Sequence, residues 1–369
     1  MRFIGVLLLI WFFCGKNFAQ KPVFIGLDYL VGKSINHTEK FKPELTGFTN
    51  TINLSIGKQS DTSKNWQKRW KLPDFGAGLI YQSNTSRQYF GTTYAFYGFT
   101  TLPIIPREKW RISHQIGYGI AYASKHFDEQ KNPENNVIGS AWNVYLDLRF
   151  FAEINVHKHL TLNVGAGFNH FSNGGVHKPN LGLNTPYAQM GLKYRFVPAT
   201  WQKIKKDSIP KPERRHEYFF RFGTGIGQIR GYGTAQYPIY AASIGYGYYT
   251  SAANKVMGGI IMEHDARLRD FNLVTGEDTT HVVSKPFTCA LFIADEMMIG
   301  RFALHYEAGL YLRHPSFKVN PVYIKAGPTF YLPPLHGKHS DMKAFLGTYV
   351  KTYWGTAQMM EFCLGMTFN

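Results

Sequence analysis

The sequence predicts an all-β protein that crosses a membrane as antiparallel β-barrels: an eight-stranded barrel followed by a second set of about eight strands. Aromatic residues make up 16% of the 369 residues, and the chain contains 36 glycines; this composition suits many strands and few helices. After the first twenty residues, no run of about 18 consecutive apolar residues occurs. Segments of alternating polar and apolar residues recur instead. In lipid, only a closed barrel satisfies the backbone polar groups of such strands.

The amino-terminal segment predicts a cleaved signal peptide over residues 1–19. A short basic start precedes an almost unbroken apolar run from Phe3 to Phe13, which is too short to cross a bilayer. Small residues near Ala19 are typical of a cleavage site. Cleavage leaves two cysteines in the mature chain, too few for a disulfide framework, so the fold must be held by other means. The predicted location is the outer membrane.

The first half of the chain predicts eight strands separated by polar loops. The loops contain the expected turn residues, for example in the run from Asp128 to Asn136. Most of the segments are about as long as a barrel strand needs to be to cross a membrane. The predicted strands are Val23–Ile35, Thr51–Lys58, Asp74–Gln82, Gln88–Leu102, Arg111–His126, Ile138–Asn155, Leu160–Asn173 and Thr185–Val197.

A charged stretch that contains prolines interrupts the alternation. We predict a linker over residues 199–216, between a barrel domain at 20–198 and a second barrel-like domain at 217–369. One wider barrel of sixteen strands is the alternative, and the linker favours two separate units. The predicted strands of the second domain are Tyr218–Gln228, Pro238–Thr250, Lys255–Asp265, Thr288–Met298, Arg301–Arg313, Val322–Leu332, Met342–Tyr353 and Thr356–Phe368.

The segment from His170 to Gly182 carries the candidate chemistry. His170 and Ser172 are two residues apart at the end of a predicted strand, so their side chains point to the same face. The even-numbered residues of this strand form its apolar row, which a membrane barrel turns towards lipid. We therefore expect His170 and Ser172 at the lipid-facing rim. On the next strand, the same face extends back to Asn184.

The charge and the strand count predict a lipid partner in the outer leaflet. The formal net charge of the chain is +17, which favours anionic partners. The usual nucleic-acid-binding motifs are absent, and nucleic acid is therefore not predicted as a partner. If the amino terminus lies in the periplasm, the seventh strand runs outward and ends at the outer leaflet. A lipid ester would reach that face, whereas a soluble substrate would not.

A histidine beside a serine can form a nucleophilic site, although a His-x-Ser pair alone is common. Serine attacks once a base removes its proton, and histidine is the natural base near neutral pH. Asn184 could accept a hydrogen bond from the imidazole and orient it, but an amide cannot neutralise the imidazolium that forms. Oxyanion donors could come from the side chain of Asn180 or Asn173. The backbone N–H groups of Gly174 and Gly175 are further candidates, because glycine allows unusual turns.

The whole segment resembles the PagL-type lipid A deacylases. The matching residues are His170, Ser172, Asn173, Gly174, Pro179, Asn180 and Gly182. The stretches 121–128 and 131–140 look like the branch labelled acyloxyacyl hydrolase, and the resemblance covers about residues 22–198. It implies an eight-stranded outer-membrane barrel that hydrolyses an ester-linked acyl chain of lipid A on its outer surface and needs no cofactor.

The resemblance also implies a role for each site residue. Ser172 matches the nucleophile, His170 the base and Asn180 an oxyanion-hole residue of that family. Asn184 stands where the type member of the family has a glutamate as the third triad residue. Replacing the acid of a triad by its amide costs about 10⁴ in rate in one serine protease.

Together these observations predict an outer-membrane esterase that acts on lipid A, or lipopolysaccharide, by a Ser-His mechanism. The alternative is a non-catalytic porin-like or lipid-binding barrel that keeps the same loop as structure. The second half lacks the motif, and structural support, partner binding and lipid presentation all stay open for it. The sequence does not indicate which acyl ester is cut, or the oligomeric state.

Overall fold

The computed structural model describes most of the chain from Pro22 to Phe368. The predicted signal peptide and most of the predicted linker lie outside the described residues. The described residues are 22–199, 201, 209, 210, 212, 215–229, 235–269, 286–314, 321–333, 342–353 and 356–368.

The first eight strands form a closed antiparallel barrel, in which each strand pairs with the next and β1 pairs with β8. Two short helices lie in this part of the chain, α1 (Asn65–Arg69) and α2 (Arg87–Phe90). Neither of these helices has the length or the apolar character to span a bilayer. The strands are β1 Val23–Gly32, β2 Thr49–Gln59, β3 Asp74–Ser83, β4 Thr92–Pro106, β5 Trp110–Ala123, β6 Trp142–His157, β7 Leu160–Ser172 and β8 Leu183–Arg195.

The second eight strands form a closed barrel of their own, in which β9 pairs with both β10 and β16. The prediction of two barrels is therefore confirmed, and the alternative of one sixteen-stranded barrel is wrong. The strands are β9 His216–Gln228, β10 Gln236–Ser251, β11 Asn254–Asp265, β12 Phe287–Ile299, β13 Phe302–Arg313, β14 Val322–Tyr331, β15 Met342–Tyr353 and β16 Thr356–Phe368.

Both barrels turn apolar side chains outwards and polar side chains inwards. In the first barrel, the paired residues Leu27 and Leu192 are 54% and 47% exposed. In the second, Leu364 pairs with Phe222, and both also point outwards. This inverted arrangement is the one that a barrel adopts when lipid surrounds it.

Ion pairs fill the interior of the first barrel. Glu153 Oε2 accepts from Arg111 Nε at 2.5 Å, and Glu153 Oε1 accepts from Lys193 Nζ at 2.9 Å. Arg111 and Arg195 also contact Asp74 at 2.5 and 3.0 Å. Because their partners lie within the same barrel, these buried charges are mutually compensated. A second cluster, nearer the middle of the strands, contains Asp28, Tyr97, Asp147, Arg149 and Tyr187.

Buried ion pairs also fill the interior of the second barrel. Lys255 Nζ lies 2.6 Å from Glu217 Oε1 and 2.9 Å from Glu296 Oε2. Further along, Arg221 Nη2 contacts Glu307 Oε2 at 2.7 Å. The remaining interior ion pairs of the described residues are Lys325 with Glu307 and Glu361, Lys351 with Glu263, and His305 with Glu296 and Glu307.

Two predicted strands of the first barrel begin later than the sequence pattern indicated. The strand expected from Gln88 starts at Thr92, because Arg87–Phe90 forms a helical turn that ends at Gly91 with a φ of +57°. The strand expected from Ile138 starts at Trp142. Ile138 is fully buried within a loop, so tertiary packing and not strand pairing explains its apolar character.

The chain divides into two compact units whose boundaries depart from those of the barrels. One unit contains most of the first barrel. The other contains β9–β16 together with two short segments from the first half of the chain. Its members are Asn136–Ser140, Ser172–Leu181 and Ile209–Asn369, as far as these are described.

Candidate active site

His170 and Ser172 lie at the end of β7, on the face that the alternation predicts. Val164 on the same row is exposed, whereas the intervening residue Asn169 points inwards and donates to Gln82 Oε1 at 3.1 Å. His170 is half-buried, and Ser172 is 7% exposed. The outward row therefore ends in a sheltered serine and not in an open lipid-facing hydroxyl.

Asn184 holds the imidazole of His170 from the neighbouring strand. The register of β7 and β8 places the two residues directly opposite each other, and His170 Nδ1 lies 2.6 Å from Asn184 Oδ1. An amide oxygen only accepts hydrogen bonds, so Nδ1 carries the proton and Nε2 keeps its lone pair. The backbone of Asn184 is fixed as well, because its carbonyl accepts from Ile35 N–H at 2.9 Å. This arrangement leaves Nε2 as the basic atom of the ring.

Gly182 makes room for the imidazole. Its φ is +82°, and a Cβ at this position would lie 2.5 Å from His170 Cε1. A side chain here would both strain the backbone and displace the ring. The sequence reasoning gave Gly182 no role, although a glycine just before the strand that carries Asn184 was the available signal.

Asn173 organises the loop that follows Ser172. Its Oδ1 accepts from Gly175 N–H at 3.0 Å, and its Nδ2 donates to His177 O at 2.9 Å and to Ser140 Oγ at 3.1 Å. Gly174 and Gly175 have φ values of +68° and +90°, which allow the chain to turn this tightly. These contacts give the Asn173 side chain and the Gly175 N–H a structural part in the loop.

Asn180 presents a buried amide donor. Its Oδ1 accepts from Asn173 N–H at 3.4 Å, whereas its Nδ2 is buried and has no hydrogen-bond partner among the described residues. A buried donor without a partner carries a cost of about 1–3 kcal/mol. Such a donor fits an oxyanion hole, where the partner arrives only with the substrate.

The stretch 136–140 packs against the same loop. A Cβ on Gly139 would lie 2.5 Å from the carbonyl oxygens of both His177 and Pro179, and Leu181 N–H donates to Asn136 O at 3.3 Å. Ser140 supplies an acceptor to Asn173, a role that the sequence reasoning missed. The stretch therefore shapes the loop that presents Asn180.

Asp128 holds a turn in the chain that leads into this stretch. The backbone N–H groups of Lys131 and Gln130 donate to its carboxylate at 2.8 and 2.9 Å, and they hold the pKa of Asp128 below its usual range. Within the described residues, no group of three or more His, Cys, Asp and Glu side chains is arranged to hold a metal ion.

Two family models match the chain. The model described as "Lipid A 3-O-deacylase (PagL)" matches residues 50–195, and the one described as "Acyloxyacyl hydrolase, C-terminal domain" matches residues 216–369. The chain belongs to the PagL family. PagL-family membership makes it an outer-membrane protein of a hydrolase family, which confirms the predicted location and the family resemblance.

Three solved structures are similar to this PagL-family chain at low sequence identity. Neisserial surface protein A is 10% identical, with 47% of this chain and 96% of that chain covered and a TM-score of 0.32. The outer membrane enzyme PagL is 16% identical, with 46% and 98% covered and a TM-score of 0.30. A mutant porin of Rh. blastica is 9% identical, with 94% and 99% covered and a TM-score of 0.19. No curated protein was found to match the chain.

Proposed function

We propose that this protein is an esterase that hydrolyses an ester-linked acyl chain of lipid A in the outer leaflet. The observation that carries the proposal is the 2.6 Å hydrogen bond between His170 Nδ1 and Asn184 Oδ1. It fixes the tautomer in which Nε2 is the base, and Ser172 follows two residues later on the same face of β7. Nucleophile and base therefore come from the same strand.

The proposed reaction has two steps, acylation of Ser172 and hydrolysis of the acyl-enzyme. Ser172 Oγ attacks the acyl carbonyl carbon while His170 Nε2 takes the hydroxyl proton. The carbonyl oxygen becomes an oxyanion, to which Asn180 Nδ2 donates a hydrogen bond. The alcohol of the ester then leaves with the proton from the imidazolium, which leaves an acyl group on Ser172. Water attacks this acyl carbonyl carbon while His170 Nε2 takes its proton, and return of that proton to Ser172 Oγ releases the fatty acid and restores the serine.

The position of the site and the net charge of the chain support a lipid substrate. His170 continues a row of outward-facing side chains that includes Val164, which places the site at the edge of the lipid-facing surface. The net charge of +17 favours a substrate that carries phosphates. Lipid A carries acyl esters, which suit a site beside the lipid-facing surface, and phosphates, which suit a positively charged protein.

Mass spectrometry of lipid A tests the proposal. Cells that express the wild type should lose the mass of one acyl chain from lipid A, and cells that express Ser172→Ala should not. Ser83→Ala is the matched control, because Ser83 ends β3 at the same rim of the barrel, and it should behave as the wild type. Identical spectra for the wild type and Ser172→Ala would support the non-catalytic barrel instead.

Replacing Asn184 with Asp should raise kcat by about tenfold or more, because a carboxylate of the same size also stabilises the imidazolium. Asn184→Leu, which removes the acceptor, should lower kcat. Both are measured as the initial rate of fatty-acid release from purified lipid A in detergent. An Asn184→Asp variant no faster than the wild type would contradict the role of Asn184 as the third member of the triad.

A further inference from the structure

The loop that presents Ser172 and Asn180 belongs to the same compact unit as β9–β16. Within this unit, Lys178 N–H donates to Gln228 Oε1 at 2.6 Å. Gln228 is the last residue of β9 and is 4% exposed. A buried side chain of one strand thus holds a backbone group of the loop two residues before Asn180.

The start of β16 supports the loop at a second point. A Cβ on Gly175 would lie 3.0 Å from Ala357 O and 3.2 Å from Gln358 O, so the loop backbone lies directly on this strand. Gln358 O in turn accepts from Arg267 Nη1 at 2.7 Å. Arg267 is itself paired with Asp265 at 2.6 Å. The start of β16, on which the loop lies, is therefore held in place by Arg267.

The two supports lie in the chain between Ser172 and Asn180, the two groups of the loop on which the reaction depends. Gly175 follows Ser172 by three residues, and Lys178 precedes Asn180 by two. Inside the loop, Asn173 and Asn180 are linked by one hydrogen bond of 3.4 Å. Because that link is long, the position of Asn180 Nδ2 also depends on the contacts of the loop with the stretch 136–140 and with β9 and β16.

We propose that Gln228 is a positioning residue that holds the loop in the geometry needed for Asn180 to receive the oxyanion, an inference that rests on the proposed function. It gives the second half of the chain a defined part in the reaction, namely structural support for the catalytic loop. The support depends on Gln228 Oε1 as the acceptor for Lys178 N–H. A carboxylate oxygen can replace this amide oxygen, and an apolar side chain cannot.

Two substitutions distinguish the effect of the Gln228 oxygen acceptor from the effect of the size of the side chain. Gln228→Met keeps the length but removes the oxygen, and Gln228→Glu keeps an oxygen acceptor. In Gln228→Met, we expect faster hydrogen exchange in the peptide spanning residues 173–182, which contains the Lys178 amide. We also expect kcat on purified lipid A to fall about tenfold with KM unchanged, because Asn180 acts on the transition state. Gln228→Glu should restore both readouts.

Thr329→Val is the matched control, since it removes a buried hydrogen bond to Tyr349 within the second barrel. It should leave the exchange of the loop peptide and kcat as in the wild type. Unchanged exchange in Gln228→Met, or a kcat that Gln228→Glu does not restore, overturns the inference. If the wild type does not hydrolyse lipid A, the proposed function fails, and the exchange measurement still decides whether Gln228 holds the loop.

Discussion

Replacing His170 with Ala should lower kcat on lipid A by about 10⁴-fold or more, as removal of a triad member does in serine hydrolases. In the proposed mechanism, the base that accepts the proton of Ser172 is then absent, and the hydroxyl is a weak nucleophile. The measurement is fatty-acid release from purified lipid A, with heat-dependent migration on a denaturing gel as the check that the barrel is folded.

The double variant His170→Ala with Ser172→Ala sharpens this prediction. If the two residues act as one unit, the double variant should be about as slow as either single variant. Losses that multiply would contradict a shared role. His114→Ala is the control, because His114 is a half-buried histidine on β5 that stacks on Phe150. It should keep the wild-type rate.

Replacing Glu153 with Gln should destabilise the first barrel by about 3–5 kcal/mol, the usual effect of breaking a buried ion pair. Glu153 contacts three buried cations, at 2.5 Å for Arg111, 2.9 Å for Lys193 and 3.4 Å for Arg195. Without this charge, Arg111 and Arg195 keep Asp74 as a partner, whereas Lys193 loses its ion pair with Glu153. Urea unfolding in detergent, followed by the shift between folded and unfolded gel bands, measures the change.

Glu108→Gln removes the same charge at an exposed position in the turn between β4 and β5. We expect little change in the free energy of unfolding for this variant. Equal stability of Glu153→Gln and Glu108→Gln would show that the interior network does not hold the barrel together.

The alternation of side chains was sufficient to predict the strands and many of their ends. β7, β15 and β16 were predicted to within one residue, because lipid outside and ion pairs inside demand opposite side chains at successive positions. The start of β6 was predicted four residues too early. Val137 and Ile138 are apolar because a loop buries them completely, and no local pattern distinguishes that burial from a strand.

The contacts of the site also divide into those that the strand pattern predicts and those that it does not. The contact between His170 and Asn184 follows from parity and strand order, so the sequence indicated both residues. The packing of Gly182 on the imidazole and the support of Lys178 by Gln228 could not be predicted. Both depend on how an aperiodic loop closes, and the second joins residues 50 positions apart in the sequence.

The charged interior of the first barrel also restricts passage through it. The cavity in the first barrel that is lined by Asp28, Tyr97 and Arg149 measures about 10 Å³, room for about one water molecule. An ion entering it would have to separate Arg149 from Asp147, which lie 2.5 Å apart. We therefore expect the first barrel to add no ionic conductance to a planar lipid bilayer.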